Sequence, residues 1–358
     1  MTVLGIATLA DLLRLLVVPA FAWAAYRDVR TRRLPNRLWP PLLAIGLLAL
    51  ALDVAAAYPF AGFEGRLFLV RTGFSLLFLV PFSVLAYRLA AFGGADMKAL
   101  VVLAVAFPAT PEYIVPTAVL PGVAWIHNAV FPLYPSTLGV TAMSALTNGV
   151  LLGAAFVLSL GVRNALAGRI SPAMFVGEWT DVRDLPDRHG SLLDADGPLP
   201  SRGLDLDALR MYLRWRRSTL EDLRADPARH RDPVSVTGTG EPTDGAVHVG
   251  PRTDGGVPAE GDVSNPPGTA DSDGPATATE TAEFDDPWAA ERFLDSIEGT
   301  AYGTDPETLR EGLETVSEAD AVWVSPGLPF VVPLFLGLVV SLTFGDVLTL
   351  ILAAGGLL

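Results

Sequence analysis

The sequence predicts an all-α, polytopic membrane bundle of about six transmembrane helices, with a cytoplasmic, acidic, partly disordered insert before the last helix. Three observations predict it. Of 358 residues, 51% are apolar, and they bunch into runs close to the ~20 residues that cross a bilayer. The acidic residues bunch as well: 32 of 39 lie between Gly161 and Val322, against 15 arginines. Outside that stretch the balance is mildly basic, with arginines gathered in alternate loops.

The first span is expected at about residues 4–25. It has no basic segment before it and is long enough to cross, so it reads as a retained helix rather than a cleaved signal. The second (38–57) and third (67–90) are nearly free of charge. The fourth (97–120) is interrupted by Pro108, Pro111, Glu112 and Pro116, and Pro kinks a helix by removing a backbone donor. A further helix over 115–130 is the alternative there. The fifth covers 139–160 and the sixth 328–348. The chain therefore reads as a transmembrane domain of five helices (1–162), a cytoplasmic insert (163–324) and a last helix completing the bundle (325–358).

Basic residues set the orientation, because short basic loops stay in the cytoplasm. Arg27, Arg30, Arg32, Arg33 and Arg37 follow the first span; Arg88 and Lys98 follow the third; Arg163 and Arg169 follow the fifth. The loop after the second span holds only Glu64 and Arg66 and is expected outside.

Inside the insert, 204–224 has helical spacing, with Leu206, Leu209, Leu213, Leu220 and Leu223. Its Arg and Trp content suits a membrane surface; a soluble helix packed on the insert suits the pattern equally. Residues 227–281 are rich in Gly, Pro, Thr, Ser and Asp, and are expected to be disordered. Short helices are expected at 287–298 and 306–316, each opened by Asp-Pro.

Composition excludes several classes of function. Without cysteine there is no disulfide, thiol nucleophile or thiolate metal site. His127, His189, His230 and His248 have no ligand spacing, so no metal or other cofactor is expected. An acidic insert argues against nucleic acid as a partner, and the apolar spans make lipid one. Acidity with Lys98 as the one lysine suits concentrated salt; a genome biased towards arginine codons gives the same signal.

Seven acidic residues lie outside the insert: Asp11, Asp28, Asp53, Glu64, Asp96, Glu112 and Asp346. Ionisable groups at membrane depth are costly, so each is a candidate for function. Asp11 has Arg14 one turn on. It falls with Asp53, Glu64, Glu112 and Asp346 toward outer ends, where pairing or snorkelling accounts for it. Asp28 and Asp96 fall together at inner ends. Two carboxylates at one site share a proton, so one can activate water while the other protonates a leaving group. Asp28 pairing with its arginines, and Asp96 capping its helix, are the structural alternatives. Around them, Gly93 and Gly94 allow a tight turn, and Pro35 and Asn36 end one loop, with Asn36 placed to cap the second span.

These segments carry a resemblance. DVRTRRLPN (28–36) resembles the D-x-R-x-x-x-[IL]-P-N stretch of type IV prepilin peptidases, and GGADMK (93–98) resembles their G-x-G-D-x-K signature. The run SPGLPFVVPLFLGL (325–338) is similar to the P-x-x-P-F-x-x-P start of the last helix in the archaeal branch, which includes preflagellin (prearchaellin) peptidases. PAMFVG (172–177) is weakly similar to a segment of the same branch. The resemblance covers the membrane part and implies a GxGD-type aspartyl protease, with a haloarchaeal source suggested by the acidity. Its substrates are implied to be prepilins or prearchaellins with a short basic leader followed by an apolar helix, and Asp28 and Asp96 map onto the catalytic pair. Lys98 is then placed to act on Asp96 or on substrate backbone, or simply to snorkel. Bacterial members add a methylation segment with paired cysteines, which finds no counterpart here. One departure stands out: Ala95 replaces the second Gly of the signature, and would be strained if that position needs positive φ.

Two rivals remain at this level. A presenilin-like protease shares the G-x-G-D motif but pairs it with a Tyr-Asp dipeptide, which Tyr26 and Asp28 do not form. A transport or assembly subunit using acids as proton relays would carry them near the midplane instead.

Overall fold

The computed structural model describes residues 2–3, 5–89, 91–115, 129–195, 197, 199–247, 284–297, 301–327 and 329–357. The chain is mostly helical and divides into two compact units, 1–163 with 328–358, and 164–327. Among the described residues four helices are long and apolar enough to cross a membrane: Leu9–Thr31, Asn36–Ala57, Gly62–Arg88 and Thr141–Leu166.

The first unit opens with a two-stranded hairpin, β1 (Thr2–Val3) and β2 (Ala7–Thr8). Helix α1 (Leu9–Leu15) passes through Leu16 into α2 (Val17–Thr31). The first span therefore ends six residues later than expected, and Asp28 lies inside its last turns rather than in the loop. A short 3-10 turn (Asn36–Leu38) leads into α3 (Trp39–Ala57). The third span is α4 (Gly62–Phe74), a π turn over Ser75–Leu79, and α5 (Val80–Arg88). Pro81 explains the π turn. It has no N–H for the carbonyl of Leu77, so the preceding turn rearranges.

Helix α6 (Gly94–Ala106) buries Ala99, Leu100 and every residue from Val102 to Ala106. A helix apolar all round belongs inside a bundle, and α6 packs against α3 and α5. It has 13 residues, about 20 Å, and stops before Pro108. The expected fourth span to 120 is thereby corrected. The short pair β3 (Tyr113–Ile114) and β4 (Val130–Phe131) follows; residues 116–128, most of the alternative helix over 115–130, lie outside the described residues. Helix α7 (Thr141–Leu166) closes this part.

The second unit corrects the all-α expectation locally. Strands β5 (Glu178–Asp181), β6 (Ser191–Asp194), β7 (Ser201–Asp205) and β8 (Ala321–Ser325) form an antiparallel sheet in the order β5-β8-β6-β7. The 204–224 stretch splits into the end of β7, α8 (Leu206–Arg216) and α9 (Leu220–Ala225). Arg217, in a left-handed conformation, separates the two helices. Leu206, Leu209, Tyr212, Leu213 and Trp215 of α8 are buried in this unit's core, so α8 is a core helix and not a membrane-surface one. The short α10 (Pro227–Arg231) and a 3-10 turn at Pro233–Ser235 follow.

The expected disorder over 227–281 is therefore wrong for its beginning. Val236 is buried in the core, the Gly240 amide donates to Trp215 O (2.7 Å), and Arg210 Nε donates to Gly245 O (2.6 Å). One apolar side chain and several backbone groups dock this polar strand of chain on α8. Residues 248–281 lie outside the described residues. Helices α11 (Ala290–Asp295) and α12 (Pro306–Glu318) lie where two short helices were expected. Asp305 caps α12 by accepting from the Thr308 amide at 2.8 Å.

Returning to the first unit, α13 (Val331–Thr343) and α14 (Val347–Ala354) break the expected sixth span at Gly345, where φ is +117°. Helices α7 and α13 cross closely: a Cβ on Gly337 would lie 2.3 Å from Ala145 O. Such contacts between small residues are how helices associate in lipid. The Asp346 carboxylate accepts from Ser144 Oγ (2.7 Å) and from the Thr349 amide (2.9 Å), holding the break against α7.

At the opposite helix ends from Asp28 and Asp96, Arg14 is buried. Its guanidinium pairs with Asp11 (2.6 Å) and Asp53 and donates to Ala106 O. Tyr113 Oη donates to Asp11 O at 3.1 Å. Asp11 and Asp53 are therefore paired, joining α1, α3 and the end of α6.

Candidate active site

Asp28 sits on the wrong face of its helix for a surface anchor. The buried residues of α2 are Val17, Phe21, Ala24, Ala25 and Asp28, the apolar stripe of an amphipathic helix. Asp28 extends that stripe and is 8% exposed. The arginines flanking it are engaged elsewhere: Arg27 lies over the Trp23 ring (5.4 Å) and Arg30 over the Tyr26 ring (5.3 Å). Arg32, in left-handed conformation at φ 53°, ends α2 with its amide donating to Asp28 O at 3.0 Å. Its charge reaches the Asp28 carboxylate.

Asp96 is the third residue of α6 and half-buried. Its Oδ2 accepts from the Gly93 amide at 3.0 Å. A carboxylate in a first turn also meets the positive end of the helix dipole. Asp96 does cap its own helix, as the structural alternative held, but through one oxygen. The charge of Asp28 reaches Asp96, so the end of α2 and the start of α6 lie near each other.

The glycines of this turn are not there for positive φ. Gly93 is extended (φ −71°, ψ 162°) and Gly94 begins the helix. A Cβ on Gly93 would stand 3.1 Å from Asp96 Oδ2, so a side chain there would crowd the carboxylate; one on Gly94 would meet Tyr87 at an ordinary 3.7 Å. Ala95 lies within α6, has no positive φ and packs against the core. The strain that Ala95 raised as a concern is absent. Ala95→Gly is thus expected to leave precursor cleavage within about twofold and to cost about 1 kcal/mol of helix stability. A cleavage assay and a thermal melt in detergent check the two parts.

Pro35 precedes the 3-10 turn with extended backbone, and its carbonyl accepts from the Leu38 amide at 3.1 Å. Asn36 does not cap the second span. It is the first residue of that turn, and its Oδ1 accepts from Lys98 Nζ at 2.7 Å. Lys98 therefore ties the loop after Asp28 to the helix that carries Asp96. No local pattern links positions 62 apart, which is why this pair was missed. Lys98→Ala and Asn36→Ala are expected to lower activity by similar amounts, and the double variant no further. A double-mutant cycle on cleavage rates reads this coupling, of about 0.5–3 kcal/mol for residues in contact.

Beneath the site, Phe21 and Trp39 meet edge to face at 6.3 Å. Among the described residues no three His, Asp or Glu side chains converge as a metal-binding set. The ionisable groups on offer here are two carboxylates, one on a buried helix face and one at a helix start.

Residues 15–158, which contain both aspartates, match the type IV leader peptidase family. Residues 280–347 match the archaeal peptidase A24 C-terminus, type II. No curated protein and no solved structure matches the chain. The two matched segments together take in more than half of the sequence, on either side of 159–279. This multi-pass membrane protein belongs to the type IV leader peptidase family.

Proposed function

We propose that the chain is an aspartic endopeptidase that removes short basic leaders from prepilin-like or prearchaellin precursors at the cytoplasmic face of the membrane. What supports this reading is that Asp28 lies on the buried stripe of α2 within electrostatic reach of Asp96 at the start of α6, and that the Lys98–Asn36 bond ties the loop after Asp28 to α6. Two carboxylates in such a site hold one proton between them. The ionised one takes a proton from water as the oxygen attacks the scissile carbonyl carbon. The protonated one gives its proton to the departing amine as the C–N bond breaks.

Depth supports the substrate class. A leader followed directly by an apolar helix presents its scissile bond at the membrane surface. Trp23 and Tyr26, with Arg27 and Arg30 stacked on them, flank Asp28 and have the composition of a membrane–water interface. The arginine-rich loops argue for the cytoplasmic side.

Co-expression with a prepilin or a prearchaellin tests the reading. The expected result is a shorter precursor on a gel, whose new N-terminus lies at the start of its apolar segment. A precursor that keeps its leader, with the protein present in the same membranes, would contradict it.

A further inference from the structure

The third span carries a row of phenylalanines at helical spacing that the proposed chemistry does not use. Phe74 stacks on Phe78 at 5.0 Å and Phe78 on Phe82 at 6.0 Å, with interplanar angles of 19° and 11°. Phe82 meets the edge of Phe92 at 6.0 Å, and Phe92 stacks on Phe330 at 4.8 Å. Phe92 directly precedes Gly93, whose amide holds Asp96, and Phe330 directly precedes α13. The row thus joins the third span, the loop of Asp96 and the start of α13.

The π turn makes the row straight. In a regular α-helix, eight positions drift about 80° round the axis at 3.6 residues per turn. Ser75–Leu79 turn more slowly, which brings Phe82 back into line with Phe74. Ser75 Oγ donates to Ala104 O at 2.7 Å, anchoring that turn on α6. Phe74, Phe92 and Phe330 pack against the core, but between them Phe78 is 45% and Phe82 37% exposed.

We infer that this face is where the apolar helix of the precursor lies while its leader reaches Asp28 and Asp96. The inference rests on the function proposed above. A helix that begins beside the scissile bond must descend into the membrane from the loop of Asp96, and the row does so. From Phe82 to Phe74 it runs about 12 Å, at 1.5 Å per residue. Helices in lipid associate through shape rather than hydrophobicity, and a file of stacked rings is a rigid surface for packing. Leu48 of α3 and Val150 of α7 are exposed as well, but they are aliphatic and offer no ring to stack on.

Two measurements on the full chain in membranes test it. In the first, a benzophenone amino acid replaces Phe78, Phe82, Leu48 or Val150, in an Asp96→Asn background that keeps the precursor whole. Adducts with the apolar segment of the precursor are expected from 78 and 82 and not from 48 or 150. Adducts only with lipid or with a second copy of the chain, or equal adducts from all four positions, would overturn the inference. In the second, Phe78→Leu and Phe82→Leu keep the hydrophobicity and remove the rings. KM is expected to rise at least about fivefold, with kcat within about twofold of wild type. An unchanged KM overturns the docking face while leaving the peptidase reading intact. Failure of the wild type to cleave any precursor is the separate result that removes the reading itself.

Discussion

Asp28→Asn and Asp96→Asn are each expected to slow precursor cleavage by about 10²–10⁴-fold, the usual loss when a general acid or base is removed. Both variants should accumulate in membranes like the wild type. Asn is close to Asp in size, and neither carboxylate anchors the bundle. Asp28 extends an apolar stripe, with Arg27 and Arg30 lying on aromatic rings and the charge of Arg32 reaching it. Asp96 makes one capping bond, to the Gly93 amide, which an Asn oxygen can replace. Cleavage is read by gel shift and accumulation by immunoblot. Normal cleavage by either variant contradicts its place in the pair, and loss of the protein from membranes contradicts the claim that these acids serve chemistry rather than the fold.

Arg14→Leu is expected to have the opposite signature: the protein is lost before activity can be asked about. Arg14 is 3% exposed in its side chain and holds Asp11, Asp53 and Ala106 O together. Removing one partner of a buried ion pair costs about 3–5 kcal/mol, because the remaining charge stays buried and unpaired. Here two carboxylates are left facing each other, and the end of α6 loses its donor. Against a typical stability of about 5–15 kcal/mol, that is a large fraction. The expected readout is little protein in membranes and an early melt of what remains. A triple variant, Asp11→Asn, Arg14→Leu and Asp53→Asn, should recover part of the loss, since no charge is then stranded. Wild-type accumulation of Arg14→Leu would contradict the anchoring role.

These contrasting pairs also mark what was legible in the sequence. The second, third and fifth spans were legible to within about six residues, because their apolar runs are unbroken and a bilayer demands that length. The end of the first span was not: Tyr26 to Thr31 looks like a basic loop, yet the helix continues, with Arg27 and Arg30 lying on aromatic rings. Pro108 and Pro111 did signal trouble in the fourth span, and α6 ends just before them. The sheet of the second unit was invisible. Its strands have four or five residues, such as EWTD and SRGLD, too short and mixed to show alternation. The leucine spacing of α8 was legible, but spacing says that one face is buried and not what buries it. Val236 shows the same limit, since a single apolar residue in a polar stretch carries no period. Asp28 and Asp96 stand out as candidates through their motifs; the Asn36–Lys98 bond and the row of phenylalanines, which depend on tertiary placement, do not show in the sequence.

The central claim is that Asp28 and Asp96 act on one bond as one unit. The most direct measurement is the single-turnover cleavage rate, with enzyme in excess, of the double variant Asp28→Asn/Asp96→Asn beside the two single variants. Residues that act as a unit are not additive, so the double variant is predicted to cleave no more slowly than the slower single variant. A residual rate equal to the product of the two separate losses would contradict it, because each aspartate would then be acting alone.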